Sequence, residues 1–162
     1  MVKTLDDLQK IRSIADYQFG RKIGQYLFPE NVEILKSKKT GKIRHIHLNG
    51  ERLATLRPRD GFLILTLTGG KRLLERDQLL FWVMVNEEVA PFIARGENAF
   101  AKHVKNAHEE IRPQDEVIII NENHEILAVG KAKLSGEEMI AFQEGVAVHV
   151  RNGIGSLEDE TN

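Results

Sequence analysis

The run DEVIIINENHEILAVGKAKLSGEEMIAFQEGVAVHVRNG, residues 115–153, decides the fold. Val117 to Ile120 are four consecutive β-branched residues, a strong β run. ENHE turns the chain and ILAVGKAKL returns it. Ser135 and Glu138 stand three apart, as a capping box requires, ahead of a helix through Met139, Ile140 and Phe142. Gly145 is read as the end of that helix. In VAVHVR, Val146, Val148 and Val150 alternate with His149 and Arg151, so a last strand has an apolar face and a polar one.

The chain before this run repeats the mixture. LLFWVMV, residues 79–85, reads as a buried strand, and NEEVAPFIARG, residues 86–96, as a helix with Pro91 near its first turn and Gly96 just past its end. AFAKHV, residues 99–104, reads as a strand. The carboxylates Glu109, Glu110, Asp115 and Glu116 surround Arg112-Pro113 and read as a solvated loop that turns into the next strand.

Farther upstream, Leu5, Leu8, Ile11 and Ile14 recur at helical spacing, with Thr4 and Asp7 as a capping pair. Gly20 breaks this helix. A short second one carries Ile23, Leu27 and Phe28 and stops before Pro29. Four β-type runs follow: VEILKS, KIRHIHL, ERLATLR and GFLILTL. Asn49-Gly50 joins the middle two into a hairpin from Lys42 to Arg57. TGG at 68–70 is read as the end of the sheet and GKRLLERDQ as a helical turn. The expected fold class is α+β, with two small domains: a basic helix-plus-antiparallel-sheet domain over 1–77 and a second domain over 78–153. An acidic flexible tail, SLEDETN, falls within 154–162.

Charge supports the division. Residues 31–76 hold eleven Lys or Arg against four Asp or Glu, whereas residues 77–162 hold seven against sixteen. A strongly basic segment in a chain of net charge −1 points to a polyanion on one side of the molecule. Lys36, Lys38, Lys39, Lys42 and Arg44 cluster around one turn, and Arg52, Arg57 and Arg59 lie on or near the partner strand. Such a row offers phosphate partners, which supply affinity without reading sequence.

Other chemistries find little support. The chain has no cysteine, which excludes disulfides, thiol catalysis and cysteine-based metal sites. His45 and His47 share a strand face, but His103, His108, His124 and His149 add no metal-ligand spacing, and no metal or other cofactor is expected. Ser13, Ser37, Ser135 and Ser156 form no nucleophile motif, and Gly69-Gly70-Lys71 lacks the spacing of a phosphate-binding loop. No apolar stretch reaches membrane-spanning length, and the polar start MVKTLDDLQK is unlike a signal peptide. The expectation is a cytoplasmic protein with no catalytic residues.

The segment from Arg95 mixes backbone exposure, an amide, an aromatic ring and cations: Arg95, Gly96, Asn98, Phe100, Lys102, His103 and Lys105. Phe100 has two readings, a ring stacked on an unpaired base or a core phenylalanine.

RGENAFAKHV, IRPQDEVIIIN and EILAVGKAKLSGEEMIAFQEGVAVHVRNG together resemble a PUA domain, the module named for pseudouridine synthase and archaeosine transglycosylase. ADYQFGRKIGQYLFP and TGKIRHIHLNGERLATLRPRDGFLILTLTGGKRL resemble the domain that precedes PUA in archaeal tRNA-guanine transglycosylase. The resemblance implies a PUA β-barrel with two helices, an archaeal source and RNA binding, with tRNA the leading ligand and no DNA. It places the RNA surface on Arg95, Gly96, Asn98, Phe100, Lys102 and His103, with Arg151 on the last strand. Lys38, Lys42, Arg44 and Arg57 join them as backbone contacts from the basic domain. The enzyme's catalytic barrel and cysteine-bearing zinc site have no counterpart. The implied role is therefore non-catalytic: gripping the acceptor-stem side of tRNA and assisting a separate tRNA-modifying enzyme in trans. The alternative is a protein-interaction subunit of an RNA-modifying or ribosome-associated complex.

Overall fold

A computed structural model describes residues 5–76 and 81–155. The Thr4–Asp7 capping pair and the acidic end of the tail therefore lie outside the described residues, in whole or in part. The chain divides into two compact units, Met1–Asp77 and Gln78–Asn162.

In the first unit, helix α1 spans Leu5–Phe19 and α2 spans Ile23–Leu27. The buried stripe of α1 is Leu8, Ile11, Ala15 and Phe19; Ile14 is half-buried, so the apolar face turns slightly away from the expected one. Gly20, at φ 124°, ends α1. The two helices pack closely because Gly24 has no Cβ: one built there would lie 2.0 Å from the Arg12 carbonyl oxygen. Arg12 Nε donates to the Phe28 carbonyl at 2.8 Å, and the Gly24 N–H donates to Asp16 Oδ1 at 2.6 Å.

Strands β1 (Glu33–Lys36), β2 (Ile43–Leu48), β3 (Glu51–Leu56) and β4 (Leu63–Leu65) form an antiparallel sheet in chain order. The Asn49-Gly50 hairpin forms as expected, with both residues at positive φ, 52° and 83°. Ile34, Ile46, Ala54 and Leu65 align across the four strands on the buried face. TGG does not end the sheet. It lies inside α3 (Leu67–Leu73), because Thr66 caps that helix by accepting from the Gly69 N–H at 3.1 Å.

The second unit holds β5 (Trp82–Val85), α4 (Ala90–Ala94), β6 (Ala99–Phe100), a 3₁₀ turn η1 (Ala101–His103), β7 (Val104–Ala107), β8 (Glu116–Ile120), β9 (Ile126–Ala132), α5 (Gly136–Ala141) and β10 (Val146–Gly153). AFAKHV is thus two strands with a 3₁₀ turn between them. Asn86 closes that turn from below by donating its N–H to the His103 carbonyl at 3.0 Å. The six strands run β6-β10-β9-β8-β5-β7 in a near-barrel, antiparallel except for the β5–β8 pair. All five residues of β8 are buried. Both halves of the Ser135–Glu138 capping box are made, at 3.1 and 2.9 Å. Helix α5 ends at Ala141, earlier than Gly145, which instead leads into β10 at φ 98°.

Gly136 opens α5 against the β7–β8 connection, where a Cβ would lie 2.0 Å from the His108 carbonyl oxygen. Helix propensity alone favours Ala over Gly by about 1 kcal/mol. Packing reverses that order: Gly136→Ala is expected to lower the unfolding free energy by about 1–3 kcal/mol in urea denaturation.

Candidate nucleic-acid interface

The 3₁₀ turn after β6 builds the first surface. The Ala101 N–H donates to the Gly145 carbonyl at 2.9 Å, and Phe100 pairs with Val146, so the turn and the start of β10 form one edge. Phe100 is 41% exposed, with its ring edge-to-face with His103 at 6.0 Å between centroids. The core reading of Phe100 is therefore excluded: its neighbours Ala99 and Ala101 fill the interior instead. Lys102 is exposed and enters no ion pair among the described residues. Arg95 is exposed too, its guanidinium 4.9 Å from the centre of the Phe92 ring, and Gly96 terminates α4 at φ 106°.

Three further residues expected to meet RNA have structural work. Asn98 Oδ1 accepts the Val150 N–H at 3.0 Å and ties the α4–β6 connection to β10. Lys105 pairs with Glu122, whose carboxyl is held below its ordinary range by that hydrogen bond, then by the Glu87 N–H. Arg151 is the third. It sits at the irregularity of β10 between Val150 and Asn152, and both its terminal nitrogens reach Glu116 across β9. Glu116 is 9% exposed, so it is not the solvated loop carboxylate that its neighbours suggested. A buried carboxylate needs a partner, and Arg151 is that partner.

The basic unit redistributes its charge in the same way. Lys36 pairs with Asp7 at 2.9 Å, and Arg57 folds back on Asp60 at 2.5 Å. Arg57 thus closes its own turn, and the expected row of arginines along the hairpin is shorter than the sequence suggested. Lys38 and Lys42 stay exposed in the tight β1–β2 turn, where the Ser37 N–H donates to the Lys42 carbonyl at 2.8 Å. Arg44 is half-buried on β2. Neither the two lysines nor Arg44 enters an ion pair among the described residues.

The sheet adds two residues that sequence reading did not assign to RNA. His45 and His47 lie on the face opposite the core, with ring centroids 6.5 Å apart. His45 Nδ1 is 3.0 Å from Thr55 Oγ1, and its pKa is lowered, first by burial and then by Arg52, Arg44 and His47. His47 stands opposite Arg52, and its Nε2 is buried without a hydrogen-bond partner. Their signal was the two-residue spacing, which a strand converts into one face. Among the described residues no group of three or more His, Cys, Asp or Glu is placed to hold a metal. No helix among them is long and apolar enough to cross a membrane.

The family model for the patch-forming domain C2 of tRNA-guanine transglycosylase matches residues 9–78, and the PUA model matches residues 81–154. The chain is a C2 domain followed by a PUA domain. It is 45% identical over 151 residues to a tRNA-guanine(15) transglycosylase of Methanothermobacter thermautotrophicus, covering 93% of this chain and 23% of that protein. The corresponding Pyrococcus furiosus enzyme is 48% identical over 145 residues, covering 89% of this chain and 24% of that one. The C2–PUA chain thus spans about a quarter of the length of these relatives. Its fold is that of a hypothetical protein from Pyrococcus horikoshii, with TM-score 0.76, 23% identity, and 93% and 92% of the two chains covered. A conserved PUA domain protein from Thermoplasma acidophilum gives TM-score 0.69 at 19% identity, over 95% and 92%.

Removing Arg151 takes away both of its hydrogen bonds to the buried Glu116. Arg151→Ala is expected to cost about 3 kcal/mol of stability, whereas Lys102→Ala changes it by less than about 0.5 kcal/mol, both read from denaturant midpoints.

Proposed function

We propose that this C2–PUA protein is a non-catalytic RNA-binding protein that holds the acceptor-stem side of tRNA and assists tRNA modification in trans. One observation carries the reading. On the PUA unit, the exposed Phe100 and Lys102 and the half-buried His103 form an aromatic and cationic edge beside Gly145, whose site carries no side chain and has open space around it. An aromatic face with neighbouring cations suits an unpaired 3′ end beside a duplex. Relatives named as tRNA-guanine transglycosylases that contain the same pair of domains point to tRNA as the ligand.

In this reading residues 1–77 supply phosphate contacts through Lys38, Lys42 and Arg44, and residues 78–153 supply the stacking edge through Phe100, Lys102, His103 and Arg95. Gly96 lets the backbone approach the sugar-phosphate chain. Asn98, Lys105, Arg57 and Arg151 act indirectly, by fixing the segments on which the contacting residues stand. The residues after 153 take no part. A modifying enzyme is the proposed partner, working in the cytoplasm on the tRNA this protein holds. A second reading, a subunit that binds protein, is favoured by one feature: Ile140 and Phe142 are 51% and 44% exposed at the end of α5.

Binding of a tRNA transcript, followed by fluorescence anisotropy across salt concentrations, tests the reading. About four phosphate contacts predict a loss of roughly 50- to 150-fold in affinity between about 50 and 200 mM salt. The double variant Lys102→Ala/Arg44→Ala should flatten the slope by about 1.5. Absence of tRNA binding at low salt would overturn the RNA reading and leave the protein-binding one.

A further inference from the structure

The first unit carries a second aromatic feature, far in sequence from Phe100. Tyr17 on α1 is 80% exposed, and Phe62 in the β3–β4 turn is 39% exposed. Their rings are parallel within 5°, with centroids 6.2 Å apart. A tyrosine so exposed gains little from burial, so core packing does not explain the pair.

The surrounding bonds fix the backbone beneath both rings. Gln18, next to Tyr17, makes two hydrogen bonds to the backbone of Leu63, next to Phe62. Its Nε2 donates to the Leu63 carbonyl at 3.0 Å, and its Oε1 accepts the Leu63 N–H at 2.6 Å. The turn itself is closed by Arg57 on Asp60, by the Phe62 N–H donating to Asp60 Oδ1 at 3.0 Å, and by the Arg57 N–H donating to the Phe62 carbonyl at 2.8 Å. Little backbone freedom is left to lose on binding. Beside them in the same turn, Arg59 is exposed and enters no ion pair among the described residues.

We propose that Tyr17 and Phe62 form a stacking platform for one unpaired nucleobase of a bound RNA, with Arg59 meeting its phosphate. This rests on the RNA-binding reading above and adds a second site of single-strand recognition, on the C2 domain. Two features select a nucleobase over a protein side chain. Parallel rings present flat faces, which suit a planar guest. The segment from 31 to 76 that contains Phe62 and Arg59 is strongly basic, which suits a phosphate on the same guest.

The test uses the full chain and two probes: a short single-stranded RNA carrying 2-aminopurine, and a blunt duplex of the same sequence. The wild-type protein should quench the 2-aminopurine emission. Tyr17→Ala should weaken single-strand binding by about 5- to 100-fold and relieve the quenching, while Tyr17→Trp preserves both. Duplex binding should be unchanged in either variant. Phe62→Ala should act like Tyr17→Ala, with circular dichroism to check that the turn still folds. If Tyr17→Ala binds the single strand as tightly as wild type while wild type binds tRNA, the platform is wrong and the RNA reading survives. If Tyr17→Ala weakens duplex and single strand alike, the residue does not select an unpaired base, and the platform is again wrong. If wild type binds neither probe nor tRNA, both fall together.

Discussion

A buried carboxylate organises the PUA unit. Strand β8 is enclosed along all five residues, and its first residue, Glu116, cannot keep its charge there without a cation. Arg151 supplies it from two strands away. The irregularity in β10 at Arg151 lets this side chain turn inward, while Val148 and Val150 remain in the core. The pair thus joins the first residue of the central strand to the last strand. It also withdraws a partly exposed cation from the unpaired charge of the surface.

That withdrawal settles where the surface charge lies. The PUA edge keeps Lys102 and Arg95, one stacked on Phe92 and the other without an ion pair. In the C2 unit, Asp7 and Asp60 take up Lys36 and Arg57, so the β1–β2 turn and Arg44, Arg52 and Arg59 remain. In both units acidic residues anchor cations that shape turns and strands. Protonation of His45 adds to the outward charge. Its lowered pKa means that the proton is bound less readily than in the unfolded chain, so the contribution of this group to stability is lost as pH drops below about 6.5.

Much of this was legible in the sequence. The four β-branched residues of β8, the Ser135–Glu138 box, the Asn49-Gly50 turn and the glycines at 20 and 96 are local signals, and local physics sets their outcome. Other features were harder to read. Thr68-Gly69-Gly70 looks like a terminator until Thr66 caps the helix that contains it. Glu116 looks solvated because its chain neighbours are polar; its burial depends on a residue 35 positions away. The internal partners of Arg151 and Asn98 are likewise invisible along the chain. The pairing of Tyr17 with Phe62 was missed because the Gln18–Leu63 bonds between α1 and β4 join residues 45 positions apart.

The central claim is that the RNA-facing cations are those without an acidic partner inside the fold. Side-chain NMR of labelled arginine and lysine, recorded with and without a tRNA transcript, tests it most directly. The account predicts that the Lys102 ammonium and Arg44 guanidinium signals shift on binding while those of Arg151 stay fixed on Glu116. A large shift of the Arg151 signals, with Lys102 and Arg44 unmoved, would contradict it.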